Sequence, residues 1–350
     1  MANIDLHIFT LLRAALFGHT PDVMLFRQMN ERDWMELLRM AQFHKISAIV
    51  CDGIDCLPDD VRPPRNQWVQ WLTEREKTIL RHNHKSKVRD LLFRFFRQHE
   101  IPVIELKGSV LSNYYPIPQH RHYADIDLYH YDCHAQADAL VEHKLQVHPH
   151  NDSHHHSKYN FKGVTIESHY DFVNSHTPPS NRSYEQMLKQ LDPHSATFEA
   201  LFLARHHSCH FASDRITLRN LCDWAMFMQA RSHEIDLPWV ASIFKQYNMH
   251  RFVGALEAIR TRMLQMPQIS ELHCNLNEKL YQRILNDILH GEFNDPDPAT
   301  PGARRLIWKL RRHRANRWKH TITCSDSYTI STLSNTFSHL KKPKSIFKKM

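Results

Sequence analysis

At 350 residues the chain can bury a full core and form two or three subdomains, and its 42% hydrophobic and 23% charged content excludes a disordered or fibrous protein. Seven cysteines, at 51, 56, 133, 209, 222, 274 and 324, form no CxxC pair; neither a zinc ribbon nor a disulfide framework is indicated, and a reduced, cytoplasmic setting follows. The net charge of +8 is uneven, because residues 304–349 hold thirteen Lys or Arg against Asp326 alone and leave the rest of the chain slightly acidic.

Only seven glycines argue against a turn-rich β fold, so helix should dominate. Residues 1–99 read as an N-terminal helical region. MANIDLHIFTLLRAALFG carries an apolar stripe with an early Asp5 and no basic leader, which predicts an amphipathic helix and not a signal peptide. Glu31-Arg32-Asp33 opens a second helix. Pro63-Pro64 then precede a segment predicted as one long helix or two abutting ones, with Trp68, Trp71, Phe93 and Phe95 in the core. No apolar run reaches the ~18 residues that a membrane span needs.

The period changes over residues 100–180. PVIEL reads as a short buried strand, SVLSNYY as a short helix, ADIDLYHY as an alternating strand and CHAQADALVEHK as a helix. KYNF and VTIESHY flank a Lys162-Gly163 turn as two further strands, giving a small mixed sheet with helices on one face. Helical periodicity returns over 181–298, and Asp295-Pro296-Asp297-Pro298 with Pro301-Gly302 marks off a basic tail over 299–350. The expected fold is therefore α+β and mostly helical, a small sheet core between two helical regions.

Chemistry concentrates in the sheet. Alternate strand residues share a face, so Asp125 and Asp127 emerge together about 7 Å apart along the chain, while Ile126 and Leu128 enter the core. Two carboxylates so close repel unless a cation joins them, and hard oxygen ligands suit Mg²⁺. Glu167 is the third acid, on a later strand, with His169 two residues on and sharing its face. Gly108-Ser109 follows an apolar strand and opens a helix, a turn in which backbone N–H groups can approach phosphate oxygens. Lys107 and Arg121 are candidate phosphate contacts, Arg being suited to bidentate binding.

Lys107-Gly108, Tyr115-Pro116, Arg121, Asp125-Ile126-Asp127-Leu128 and Ile166-Glu167-Ser168-His169, spread over about a fifth of the chain, resemble a bacterial family of uncharacterised nucleotidyltransferases within the DNA polymerase beta superfamily. The resemblance implies a Mg²⁺-dependent (or Mn²⁺-dependent) enzyme that moves an NMP group from an NTP to an acceptor hydroxyl with release of pyrophosphate. It implies that Asp125, Asp127 and Glu167 are catalytic metal ligands and that Glu167 can take the acceptor proton. Lys107, Gly108, Ser109 and Arg121 would bind the nucleotide, and His169 would orient Glu167 or contact substrate. The alternative is a catalytically silent nucleotide-binding or regulatory module of the same fold, which the fifteen residues between Ser109 and Asp125 leave open. An acidic main body points to a small-molecule or protein acceptor.

The remaining histidines and the tail have plainer readings. His154-His155-His156 reads as a solvent-exposed loop, and His206 and His210, spaced i, i+4, as a helix-packing pair. Asp223 beside Trp224 reads as a helix-linking residue. The tail, 303–350, is expected to be solvated at least at KKPKSIFKKM, with an anionic membrane surface or a nucleic acid as its alternative partners.

Overall fold

Apolar periodicity and capping set the first hundred residues. The computed structural model describes residues 4–151, 155–175, 178–298 and 303–341. It opens with α1 (Ile4–Phe17), α2 (Val23–Arg27), α3 (Glu31–Phe43) and α4 (Ser47–Asp55). The α3 helix starts at a capping box: the Asn30 side chain accepts from the Asp33 amide and the Asp33 side chain from the Asn30 amide. Beyond Pro63-Pro64 runs α5 (Arg65–Gln98), a single helix of 34 residues. Trp71 is fully buried on it, whereas Trp68, Phe93 and Phe95 are half-buried, and Leu92 and Phe96 occupy the core stripe instead.

The sheet follows. β1 (Ile104–Glu105) leads through α6 (Ser109–Ser112) to β2 (Ile126–Tyr129), then α7 (His134–Leu140), β3 (His156–Phe161) and β4 (Val164–His169). Strand order is β1-β2-β4-β3, with β2 and β4 parallel and the outer pairs antiparallel. Lys162 and Gly163 both take positive φ, 50° and 78°, as a two-residue hairpin turn demands. Ile126, Leu128, Tyr159, Val164 and Ile166 pack beneath the sheet against Val88, Leu92 and Phe96 of α5 and Ala137 of α7. This apolar underside leaves the other face for polar residues.

Helices α8 (Asn181–Leu188), α9 (Ala196–Ser213), α10 (Leu218–Arg231), α11 (Leu237–Gln246), α12 (His250–Met263) and α13 (Glu278–Leu289) come next. The tail forms α14 (Ala303–Ala315), α15 (Arg317–Thr323) and α16 (Tyr328–Lys341). A second, larger apolar cluster runs from Ile8 to Ile322, so helices from before and after the sheet share one core. The fold is α+β and mostly helical, as the periodicities predict. Among the described residues no helix is long and apolar enough to cross a membrane.

The described part of the tail is more embedded than its charge suggests. Arg305, Arg312 and Lys319 are buried. Lys319 Nζ lies 2.7 Å from Asp287 Oδ2, with both side chains 1% exposed. Burial pushes Lys319 down and Asp287 up, and each charge is held by the other. Residues 342–350, most of KKPKSIFKKM, lie outside the described residues. Removing one partner of a buried pair leaves the other uncompensated, so Lys319→Ala should destabilise the chain by about 3–5 kcal/mol in urea titration. Exposed Arg304→Ala should shift stability by no more than about 0.5 kcal/mol.

Candidate active site

Strand register builds the site. Parallel pairing sets Asp127 level with Glu167 and Tyr129 level with His169. Strand β3 adds Lys158 beside Glu167 and His156 beside His169. Level residues on neighbouring strands share a face, so the open face carries Asp127, Glu167 and Lys158 in one row and Tyr129, His169 and His156 in the next. Asp125, half-buried, immediately precedes β2 with the parity of Asp127.

The contacts are short. Lys107 Nζ and His169 Nε2 each lie 2.9 Å from Asp127 Oδ1, and Lys158 Nζ donates to Glu167 Oε1 at 2.8 Å. Ligand atoms of Asp127, Glu167 and His169 all fall within 4.8 Å of one another. Burial first and the Asp127 charge second push Asp125 up to about 6. Burial would raise Asp127 too, but the Lys107 charge and the His169 contact outweigh it and hold that carboxyl well below its usual range. Glu167 is likewise held down, against burial, by His156 and Lys158. Three carboxylates therefore crowd a hollow in which two lysines supply the positive charge. An oxygen-rich set of this kind fits a hard divalent cation, and Asp125, Asp127 and Glu167 are the residues that would hold it.

The Gly-Ser turn is built differently from expectation. Gly108 takes φ +69°, a conformation that strains any side chain, and a Cβ there would also crowd Glu105 Oε1 at 2.7 Å. The Ser109 amide donates to Glu105 Oε1 at 2.9 Å and its hydroxyl to Glu105 Oε2, while Arg89 donates to the same hydroxyl. Burial pushes Glu105 up to about 7. The donors expected to face phosphate are thus engaged by a carboxylate four residues upstream, which sequence reasoning passed over although an acid inside an apolar strand was a visible signal.

Arg121 is 2% exposed, and its guanidinium faces inward. It donates to Gly108 O at 2.7 Å and bidentately to Asp223 at 2.6 and 2.8 Å. Tyr115 OH adds 2.7 Å to the same carboxylate. In this arrangement Arg121 braces the turn, with three of its five N–H donors committed to Asp223 and the Gly108 carbonyl. Asp223 links α10 to the turn, as its sequence context suggests.

One of the two histidine groups keeps its reading as a packing pair and the other does not. His206 and His210 of α9 pack against each other, ring centroids 4.4 Å apart, as their i, i+4 spacing suggests; His206 is half-buried and His210 exposed. His155 and His156 flank the start of β3 and are half-buried beside His169 instead of solvent-exposed; His154 lies outside the described residues. Beside the turn opens a cavity of about 700 Å³, lined by Arg89, Glu105, Ser109, Tyr114, Phe198 and Arg231 among others.

Residues 30–265, about two thirds of the chain, match the model of a family described as uncharacterised nucleotidyltransferase. The chain belongs to this family. No curated protein and no solved structure matches it. The span matched to the nucleotidyltransferase family starts at the Asn30 cap of α3 and closes just beyond α12, so it covers every residue of the site and stops short of the basic tail.

Two outcomes follow for this nucleotidyltransferase-family chain. Asp223→Ala strips the buried partner from Arg121 and should cost about 3–5 kcal/mol in denaturant melts, with Arg121→Lys also losing the bidentate fork. For Asp125, a value of about 6 against an ordinary 3.8 means the folded state keeps a proton that the unfolded chain has lost between those pH values. That contribution to stability is present below about 3.8 and disappears as pH rises through about 6. A divalent cation held by Asp125 would have to displace the same proton, so calorimetry with Mg²⁺ should show an affinity level above about pH 6 and falling about tenfold per pH unit below.

Proposed function

We propose that the chain is a Mg²⁺- or Mn²⁺-dependent nucleotidyltransferase of the DNA polymerase beta superfamily that transfers an NMP group from an NTP to an acceptor hydroxyl. The reading is carried by one observation, the level pairing of Asp127 with Glu167 on adjacent parallel strands, with Asp125 on the same side. Bound divalent ions would supply charge stabilisation at the attacking and leaving oxygens of the in-line displacement. The acceptor oxygen forms a bond to the α-phosphorus, the bond to the bridging oxygen breaks, and pyrophosphate leaves with that electron pair. Glu167, held ionised by its neighbours, takes the acceptor proton. His169 and Lys107 both fix Asp127 through its Oδ1, and the Lys107 cation would offset charge on the nucleotide. The cavity of about 700 Å³ beside the Gly108-Ser109 turn has the size of a small-molecule pocket, which favours a compact acceptor over a polymer. A cytoplasmic setting, with the exposed cations of the tail available to an anionic surface, accords with this reading.

A second reading, a silent nucleotide-binding or regulatory module, is favoured by Glu105 engaging both Ser109 donors and by the inward Arg121. Label transfer separates the two. With α-labelled NTPs, Mg²⁺ or Mn²⁺ and a cell extract, the enzyme yields a labelled acceptor, and Asp127→Asn lowers the yield by at least about a hundredfold. Equal labelling by wild type and by Asp125→Asn/Asp127→Asn would sink the catalytic reading; nucleotide binding without transfer would leave the silent module standing.

A further inference from the structure

The start of β3 holds a chain of four groups: Asp127, His169, His155 and Asp171. His169 Nε2 meets Asp127 Oδ1 at 2.9 Å, His169 Nδ1 meets His155 Nε2 at 3.1 Å, and His155 Nδ1 is bonded to Asp171 Oδ1. Asp171 is fixed in turn by the Ser175 amide at 3.1 Å. Ionised carboxylates only accept, so both outer contacts require an N–H from imidazole. Two neutral imidazoles carry two such protons, and the chain has three contacts to fill. With the protons on the outer nitrogens, His169 Nδ1 and His155 Nε2 face each other lone pair to lone pair.

Something positive belongs between them. A third proton would serve that one pair of nitrogens. A third imidazole stands at the same place, however: His156 is level with His169, and ligand nitrogens of His155, His156 and His169 all lie within 4.8 Å of one another. Among the described residues His156 Nδ1 is buried with no hydrogen-bond partner. A proton cannot use a third lone pair, but a metal ion can. Two nitrogens on a tetrahedral ion at 2.0–2.1 Å are about 3.3 Å apart, close to the spacing already present. Neutral imidazoles select zinc, copper, nickel or iron over magnesium. The carboxylates behind His155 and His169 match the outer partners that fix tautomer and ring orientation in such centres.

We propose that His155, His156 and His169 form a three-nitrogen site for a zinc-class transition-metal ion, oriented by Asp171 and Asp127 and separate from the hard-cation hollow of Asp125, Asp127 and Glu167. His169 joins the two, presenting Nδ1 to one and Nε2 to the other. The site stands whether or not the chain transfers nucleotides.

The test uses the full chain, stripped with chelator and titrated with Co²⁺ without nucleotide. One Co²⁺ per chain should bind with the visible d–d bands of a low-coordinate, nitrogen-ligated ion, be displaced by equimolar Zn²⁺ and persist in excess Mg²⁺. His155→Ala and His156→Ala should lose this signal, and Asp171→Asn should weaken binding about 10–100-fold. Asp125→Asn should leave it unchanged. Thermal melts in chelator, equal for wild type and variants, separate ligand loss from misfolding, and His156→Gln serves if the alanine variant unfolds. Co²⁺ binding that is absent, that survives the His155 and His156 substitutions (adventitious capture by others of the 29 histidines), or that depends on Asp125 instead would overturn the site.

Discussion

Carboxylates packed side by side raise each other's energy, and much of this molecule is arranged around holding a few of them together. Parallel pairing of β2 with β4 forces Asp127 and Glu167 level, and Asp125 adds a third oxygen source at the strand entrance. Lys107 and Lys158 answer two of the three charges, while burial leaves Asp125 as the group whose ionisation is least favourable. The apolar underside, with Ile126, Leu128 and Ile166 against α5, keeps the strands in that register: a slip of one residue would turn the acids into the core. The repulsion is thus sustained by packing on the opposite face.

The helices on either side of the sheet act on the same hollow at a distance. Arg121, clasped by Asp223 of α10 and Tyr115, holds the Gly108 carbonyl, so the geometry of the turn is set from the helical body. One continuous core from Ile8 to Ile322 ties these helices to those that precede the sheet. A small sheet of four strands is thereby fixed within a much larger helical frame.

How much of this could be read beforehand depended on the range of each interaction. Parity along ADIDL and VTIES put the acids on one face, the Lys162-Gly163 turn marked the hairpin, and unbroken periodicity after Pro64 marked α5. These are properties of neighbouring residues. Arg121 and Asp223 are 102 residues apart, and nothing local says that a motif arginine faces inward to a helix. The tail reads as solvated because its cations are dense, yet Lys319 pairs with Asp287 across 32 positions. His155 and His156 look like a polar loop until strand pairing sets them against His169. Glu105 was the exception, legible locally as an acid inside an apolar strand four positions from Ser109.

Glu105 also changes what it means for this turn to grip an anion. The carboxylate is a resident ligand on a four-residue tether, already satisfying the Ser109 amide and hydroxyl. A phosphate arriving there would compete with a group whose local concentration is fixed by covalent connection and far exceeds that of any solute. Any anion reaching the turn would therefore exchange with a side chain that burial already pushes up to about 7, and that has Arg89 beside it.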